Sequence, residues 1–148
     1  MRSRRSSLLR QAVRKFARMF ILKKITLDFQ ETGKTVLTDE KWLLFVVEQV
    51  LSNAVKYTKS GGVTISLEND ALMISDTGIG IAPEDLPRIF EKGYTGCNGR
   101  ADMKASGIGL YLCRRICRAL GHTISAESSG SGTTVSIGLG RNRVDLRE

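Results

Sequence analysis

The 148-residue chain has a single histidine, three cysteines and no long apolar run, and each shortage closes off a class of function. Its longest apolar stretches, such as Leu43–Val47, fall far short of the roughly 18 residues that a membrane-spanning helix needs. No segment is therefore expected to cross a bilayer. Cys97, Cys113 and Cys117 form no CxxC pattern, and an odd count suits free thiols in a reducing compartment better than a disulfide framework. Cys113 and Cys117 are four apart and could in principle share a metal, but no further ligand lies near them in sequence, so core packing is expected. The one histidine, His122, follows Gly121 at an expected helix end with no acid beside it and reads as structural. The G-x-x-x-x-G-K-[ST] pattern is missing, and no G-x-G-x-x-G follows a first strand, which removes the P-loop and the dinucleotide-binding βαβ unit.

Acids are missing from Met1–Lys24, which holds nine Lys or Arg; beyond it fourteen bases face all fifteen acids, so the formal charge of +8 sits at one end. A basic, acid-free start is compatible with a transit peptide or a membrane-surface helix. Leu9, Val13, Phe16 and Phe20, however, share one face at helical spacing, which favours a helix docked on a sheet with its Arg/Lys face solvated. With 41% hydrophobic residues the chain can bury a core, as one domain. Residues 1–7 read as a tail or linker remnant, 8–140 as the domain, and 141–148 as a C-terminal tail.

The periodicities predict a helix over 8–22, a strand over 24–29 and a short strand over 35–37. A long helix follows, capped by Asp39. In it Trp42, Phe45, Val46, Gln49, Val50, Asn53 and Ala54 recur at three and four, so two amides are expected on the apolar face. Gly61-Gly62 is expected to end that helix. Strands over 63–67 and 72–75 are then expected to form a hairpin turned at Asn69-Asp70, which delivers Asp76 to the sheet's edge. Pro83 suits the first turn of a short helix running to about Phe90, and 91–106 lack periodicity and read as a lid. A helix over 108–120, closed by Gly121 as its C′ residue, precedes strands over 123–127 and 133–139. Helices and strands segregate rather than alternate, which argues for an α/β fold, a two-layer sandwich with helices on one face of a mixed sheet.

Three motifs stand in fixed order: Glu48-Gln49-Val50-Leu51-Ser52-Asn53-Ala54, Asp76-Thr77-Gly78-Ile79-Gly80-Ile81 and Ser106-Gly107-Ile108-Gly109-Leu110. One glycine pair says little, since glycine serves any tight turn or close approach; the ordered set is specific. With Ile89-Phe90 and Gly132-Thr133-Thr134, it resembles the ATP-binding catalytic domain of sensor histidine kinases. That branch shares a superfamily with the ATPase regions of DNA gyrase, the large heat-shock chaperone and MutL. The resemblance covers residues 8 to 140. It implies a Bergerat-type sandwich with a mobile ATP lid, and ATP with Mg2+ as cofactors.

The resemblance implies a role for each matching residue. Asp76 would accept from adenine's exocyclic amine, selecting ATP over GTP, while Gly78, Gly80 and Ile81 would let the backbone approach the base. Asp76 also reads simply as a cap on the turn that follows it. Asn53 matches the magnesium ligand, an oxygen donor suited to a hard cation, and core hydrogen bonding is the plainer reading of an Asn in mid-helix. Lys56 is placed to meet a phosphate and Tyr57 to border the base; a solvated Lys and a packing Tyr are the alternatives. Lys92 and Tyr94 at the lid, with Arg100 and Lys104, would close over the nucleotide; each of the three cations taken singly reads as a solvated charge. Gly107, Ile108, Gly109 and Leu110 open a helix whose free N–H groups favour phosphate. Thr133 matches the nucleotide-side threonine, with strand propensity as its other explanation. Gln49 stands where the gyrase and chaperone branches carry a glutamate that activates water, and an amide cannot take that proton. No catalytic residue is assigned within the chain.

A complete kinase of this type carries its phosphoacceptor histidine on a dimerising helical hairpin, and no matching histidine is found here. The expected function is therefore to bind Mg-ATP and donate the γ-phosphoryl group to a histidine on a separate dimerisation domain. The implied partners are that domain and, through it, a response regulator. No nucleic acid is expected, and a membrane only through a missing N-terminal sensor part. The expected location is cytoplasmic, on the cytoplasmic side of the membrane in a full-length parent. The stretch Phe90–Arg100 looks most like kinases of Gram-positive bacteria that sense peptide antibiotics through paired transporters. The rival readings are a stand-alone anti-sigma-factor serine kinase or binding module, a clamp-type ATPase fragment, and a nucleic-acid binder using the Arg-rich end.

Overall fold

The computed structural model describes residues 2–29, 35–37, 39–68, 70–92 and 109–139. In chain order the elements are β1 (Arg2–Arg4), α1 (Arg5–Lys23), β2 (Thr26–Phe29), β3 (Thr35–Leu37) and α2 (Glu40–Tyr57). They are followed by β4 (Gly62–Glu68), β5 (Ala71–Asp76), a single 3-10 turn (Leu86–Arg88), α3 (Gly109–Leu120), β6 (Thr123–Ser129) and β7 (Gly132–Gly138). The main sheet runs β2-β4-β5-β7-β6. β2 lies parallel to β4 and every other pairing is antiparallel, so the sheet is mixed.

Alternation along the strands sends Val63, Ile65, Leu72, Ile74 and Ile137 to one face, where they are buried with residues of the three described helices. The other face exposes or half-exposes small hydroxyls such as Thr64, Ser75, Ser125 and Thr134. This is the pattern of an antiparallel-type sheet covered on one side. The chain is thus the expected α/β two-layer sandwich, with α2 packed against both α1 and α3.

Each helix has an identifiable start or stop. Asp39, in extended conformation, accepts from Trp42 N at 3.3 Å and caps α2, an interaction worth about 1 kcal/mol. Lys23 Nζ donates to the Val55 carbonyl and, at 3.4 Å, to that of Lys56, so a cation from α1 meets the negative end of α2. At the end of α3, His122 N donates to Cys117 O and Gly121 N to Arg118 O, with Gly121 at φ 82°, forming the Schellman closure the sequence suggested. The same pattern ends α1, but there Lys24 takes the left-handed conformation at φ 59°.

Several elements differ from the sequence expectation. Arg2–Arg4 form a strand paired with Thr35–Leu37, and Arg5 opens α1, where a tail up to residue 7 was expected; pairing satisfies backbone groups that a free tail would leave to water. α2 stops at Tyr57, with Thr58 extended, before Gly61-Gly62 is reached. The expected helix after Pro83 is only the 3-10 turn, with Pro87 in its first positions. The amide-bearing stripe of α2 coincides with its core face only in part: Val46, Val50 and Ala54 are core, and the two amides are not. Leu43, Val46, Val47, Val50, Leu51, Ala54 and Val55 are buried, whereas Trp42, at 47% exposed, and half-buried Phe45, Gln49 and Asn53 flank them. Both stripes repeat at three and four, and only packing against the sheet decides between them.

Cys113 and Cys117 are free and buried against α2, and burial pushes their thiols up to about 12 and about 11, so both stay protonated. Cys97 lies outside the described residues. Among the described residues no cluster of three or more His, Cys, Asp or Glu is placed to hold a metal, and no helix is long and apolar enough to cross a membrane.

Candidate functional site

β5 is the central strand of the sheet and not the expected edge, and it ends at Asp76, directly opposite Thr133 of β7. Asp76 shares its strand parity with Leu72 and Ile74, so its side chain is directed to the helix-covered side. There the half-buried carboxyl accepts through Oδ1 from Gly78 N at 2.8 Å and from Thr133 N at 3.3 Å. Burial holds its pKa above the ordinary carboxylate range, and the two backbone N–H bonds pull the other way. Oδ2 accepts from no described residue.

The loop after Asp76 is pinned at every step. Thr77 Oγ1 accepts from Gly62 N and donates to Ser60 O at 3.1 Å, while Ile79 N donates to Tyr57 O at 3.2 Å, tying the loop to the end of α2. A Cβ on Gly78 would fall under 3.0 Å from that Tyr57 carbonyl, and one on Gly80, at φ 78°, would strike Ser129 O. The glycines are needed because backbone meets backbone here. Ile81 N donates to Ser128 Oγ at 2.6 Å, and that hydroxyl also contacts Thr133 Oγ1 at 3.1 Å. Gly132, at φ 145°, seals the arrangement; any Cβ would collide with the Asp76 carbonyl.

Tyr57, Asp76, Gly78, Gly80, Ile81 and Thr133 are thereby brought into one connected wall. Lys56 sits beside it, its Nζ 6.0 Å from the centre of the Tyr57 ring, in cation–π range. Asn53 lies one turn earlier on α2, half-buried. The opposite boundary is formed where α3 begins: a Cβ on Gly109 would fall 2.8 Å from Gln49 Oε1, so the first turn of α3 lies against the Gln49 stripe of α2. Leu110 is half-buried in that turn and Lys92 is exposed. Among the described residues no contact joins Lys92 to Asp76 or Asn53. Tyr94, Gly107 and Ile108, with the rest of the expected lid, lie outside the described residues.

Sequence reasoning missed Ser128, which links Ile81 to Thr133, and missed that Gly132 matters for its conformation. The signal was present in the β6–β7 hairpin: a tight turn at Gly130-Ser131 puts Ser129 opposite Gly132 and Ser128 opposite Thr133.

Comparison with known proteins agrees with this geometry. Residues 38–143 match the family described as histidine kinase-, DNA gyrase B- and HSP90-like ATPase. The sensor protein BceS of Halalkalibacterium halodurans is 39% identical over 136 residues, covering 88% of this chain and 41% of that protein. The sensor protein kinase GraS of Staphylococcus aureus is 43% identical over 116 residues, covering 75% of this chain and 33% of its own length. The chain thus spans about two fifths or less of these curated relatives. Full-length ShkA in complex with AMPPNP superposes with a TM-score of 0.74 at 28% identity, over 89% of this chain and 29% of that one. The mycobacterial sensor histidine kinase MprB shares the fold, with a TM-score of 0.76 at 22% identity over 93% and 95% of the two chains. A wall centred on Asp76, two glycine-bearing boxes in order and a family match over most of the chain lead to one conclusion: the protein belongs to the histidine kinase-, DNA gyrase B- and HSP90-like ATPase family.

Proposed function

We propose that the chain is the nucleotide-binding catalytic domain of a sensor histidine kinase, holding Mg-ATP for phosphoryl transfer to a histidine on a separate dimerisation domain. The observation that carries the nucleotide reading is the division of labour at Asp76. Oδ1 is committed to Gly78 and Thr133, which fixes the carboxylate, and Oδ2 is left to accept from a donor such as adenine's exocyclic amine. Guanine presents a keto oxygen there, acceptor against acceptor, so the same geometry favours ATP over GTP.

The remaining roles follow from placement. Tyr57 and the backbone of Gly78–Ile81 border the base, and Thr133 holds its side of the wall. Lys56 meets phosphate, as would Lys92 and Tyr94 from the lid side. The first turn of α3, with Gly107, Ile108, Gly109 and Leu110, offers N–H groups to phosphate. Asn53 is the oxygen donor for magnesium. A single amide suits that ion, which keeps several waters and takes most of its protein-independent ligands from phosphate; when bound it would neutralise charge on the transferred group.

Gln49 lies beside the start of α3, where a carboxylate would be placed to activate water, and its amide has no basic site for that proton. The arrangement therefore spares ATP from hydrolysis. His122 is 3% exposed at the far end of α3, which leaves the acceptor histidine to another domain. In the parent protein this domain would work on the cytoplasmic side of the membrane, with a response regulator downstream.

Calorimetric titration of the 148-residue chain with a non-hydrolysable ATP analogue, with and without magnesium and against the GTP analogue, tests the site. Magnesium-dependent binding of the adenine form alone is expected; equal binding of both nucleotides would overturn the Asp76 assignment. Adding a separate dimerisation domain should then yield a phosphohistidine on that domain, and its absence would overturn the transfer step.

A further inference from the structure

A second concavity, separate from the nucleotide wall, has a volume of about 670 Å³ and lies between α3, the 3-10 turn and the first half of β6. Its floor is apolar: Pro83, Leu86 and Phe90 on one side and Ile124 on the other. Arg114 and Arg118 stand along its rim, one helical turn apart on the same face of α3. Among the described residues neither guanidinium has a carboxylate within ion-pair distance; the ion pairs there are Lys15–Glu48 and Arg88–Glu91.

The third wall is strand edge. Among the described residues β6 ends the sheet order and pairs only with β7, so alternate residues of Thr123–Ala126 direct N–H and C=O groups away from the sheet, along the groove. An edge of free backbone groups, an apolar floor and two cations on the rim are the three elements of strand-addition recognition with charge selection. The longer stretches of the chain outside the described residues carry no excess of acid. Residues 93–108 carry Arg100 and Lys104 against Asp102, and 141–148 carry Arg141, Arg143 and Arg147 against Asp145 and Glu148.

We propose that this groove docks an extended, acidic segment of a partner protein, which adds to the free edge of β6 and sets carboxylates against Arg114 and Arg118. Alternate side chains of such a segment point to one side, so apolar residues meet Leu86, Phe90 and Ile124 while acidic ones meet the arginines. The groove lies on the opposite end of α3 from Gly109, so occupancy and nucleotide binding are separable.

The probe is a fluorescein-labelled peptide of alternating Glu and Val, with a Lys-for-Glu peptide as control, titrated into the full chain at low salt and followed by anisotropy. Saturable binding of the Glu peptide alone is expected. The Arg114→Ser/Arg118→Ser double variant should weaken it about tenfold, since two partly exposed ion pairs are removed. Thermal unfolding of the variant, expected to match the parent, separates lost binding from lost structure. A second readout is amide hydrogen exchange, which the Glu peptide should slow at residues 123–126. Equal affinity for both peptides, an unaltered affinity in a folded double variant, or protection confined to residues outside β6 would each overturn the proposal. So would saturable binding of anionic lipid vesicles in place of the peptide.

Discussion

The two boundaries of the candidate nucleotide site are built by different means. At the Asp76 end the parts are strand termini and loops locked by hydrogen bonds: Gly78 N and Thr133 N on one carboxylate oxygen, Ile79 N on Tyr57 O, Ile81 N on Ser128 Oγ. At the Gln49 end the parts are helix surfaces. Asn53, Lys56, Gln49 and Gly109 take their places because α2 and α3 pack their neighbouring residues into the core. The first boundary tolerates almost no change in backbone or side-chain length. The second depends on helix packing as a whole and leaves individual polar side chains free to vary, which is where the superfamily's chemistry would be set.

The sharpest break of this contrast is Gly132→Ala. The new Cβ meets backbone at Asp76 in a conformation that side chains rarely adopt. The two effects together should cost about 3 kcal/mol or more, read as a fall in the urea midpoint. An equivalent insertion at the helix-built boundary, Gly109→Ala, meets only the end of the Gln49 side chain and should cost far less.

Gln49→Glu tests the other boundary by function. If a carboxylate there activates water, slow ATP hydrolysis should rise by about 100-fold in the isolated chain, measured as phosphate release, with the fold unchanged. Asp76→Ala should lower affinity for the ATP analogue about ten- to a hundredfold, the loss of one charge-assisted bond of about 1.5 to 3 kcal/mol, while the GTP analogue, relieved of the acceptor-against-acceptor contact, should bind no more weakly than before.

A gentler change at the same residue separates stability from recognition. Because burial raises the folded pKa of Asp76 above its ordinary 3.8, the folded protein holds that proton more tightly than the unfolded chain. Ionised Asp76 therefore costs stability, and the cost grows as pH rises from 3.8 through the raised value and stays constant above it. Asp76→Asn keeps an acceptor oxygen for Gly78 and Thr133 without the charge. It should unfold at a higher temperature than the parent at pH 7, and the gap should close below pH 3.8. A gap that widens on acidification would mean that hydrogen bonding outweighs burial at this carboxyl.

The smallest expected effect is that of Ser128→Ala, which removes a hydroxyl shared by Ile81 and Thr133. It should cost about 1 kcal/mol of stability and shift nucleotide affinity only slightly, because it acts by holding Thr133 rather than by touching the base.

Local chemistry wrote some of this structure openly. Asp39 as a helix cap, Gly121 as a helix stop, the left-handed Asp70 between β4 and β5 and the alternation in those two strands are all short-range effects, decided within a few residues. The ordered motifs likewise marked Asp76, Asn53 and the glycines before any contact was known. What composition and spacing left open was which of two equally periodic stripes on α2 faces the core, because helical period describes both and only the sheet beneath selects one. They also left open that α3 runs on from a start against Gln49 to a rim of arginines beside the β6 edge. Contacts between residues 60 positions apart in sequence, such as Gln49 with Gly109, carry no local signature. They exist because burying the faces of α2 and α3 against the same side of the sheet brings those helices together, and only the folded chain makes that choice.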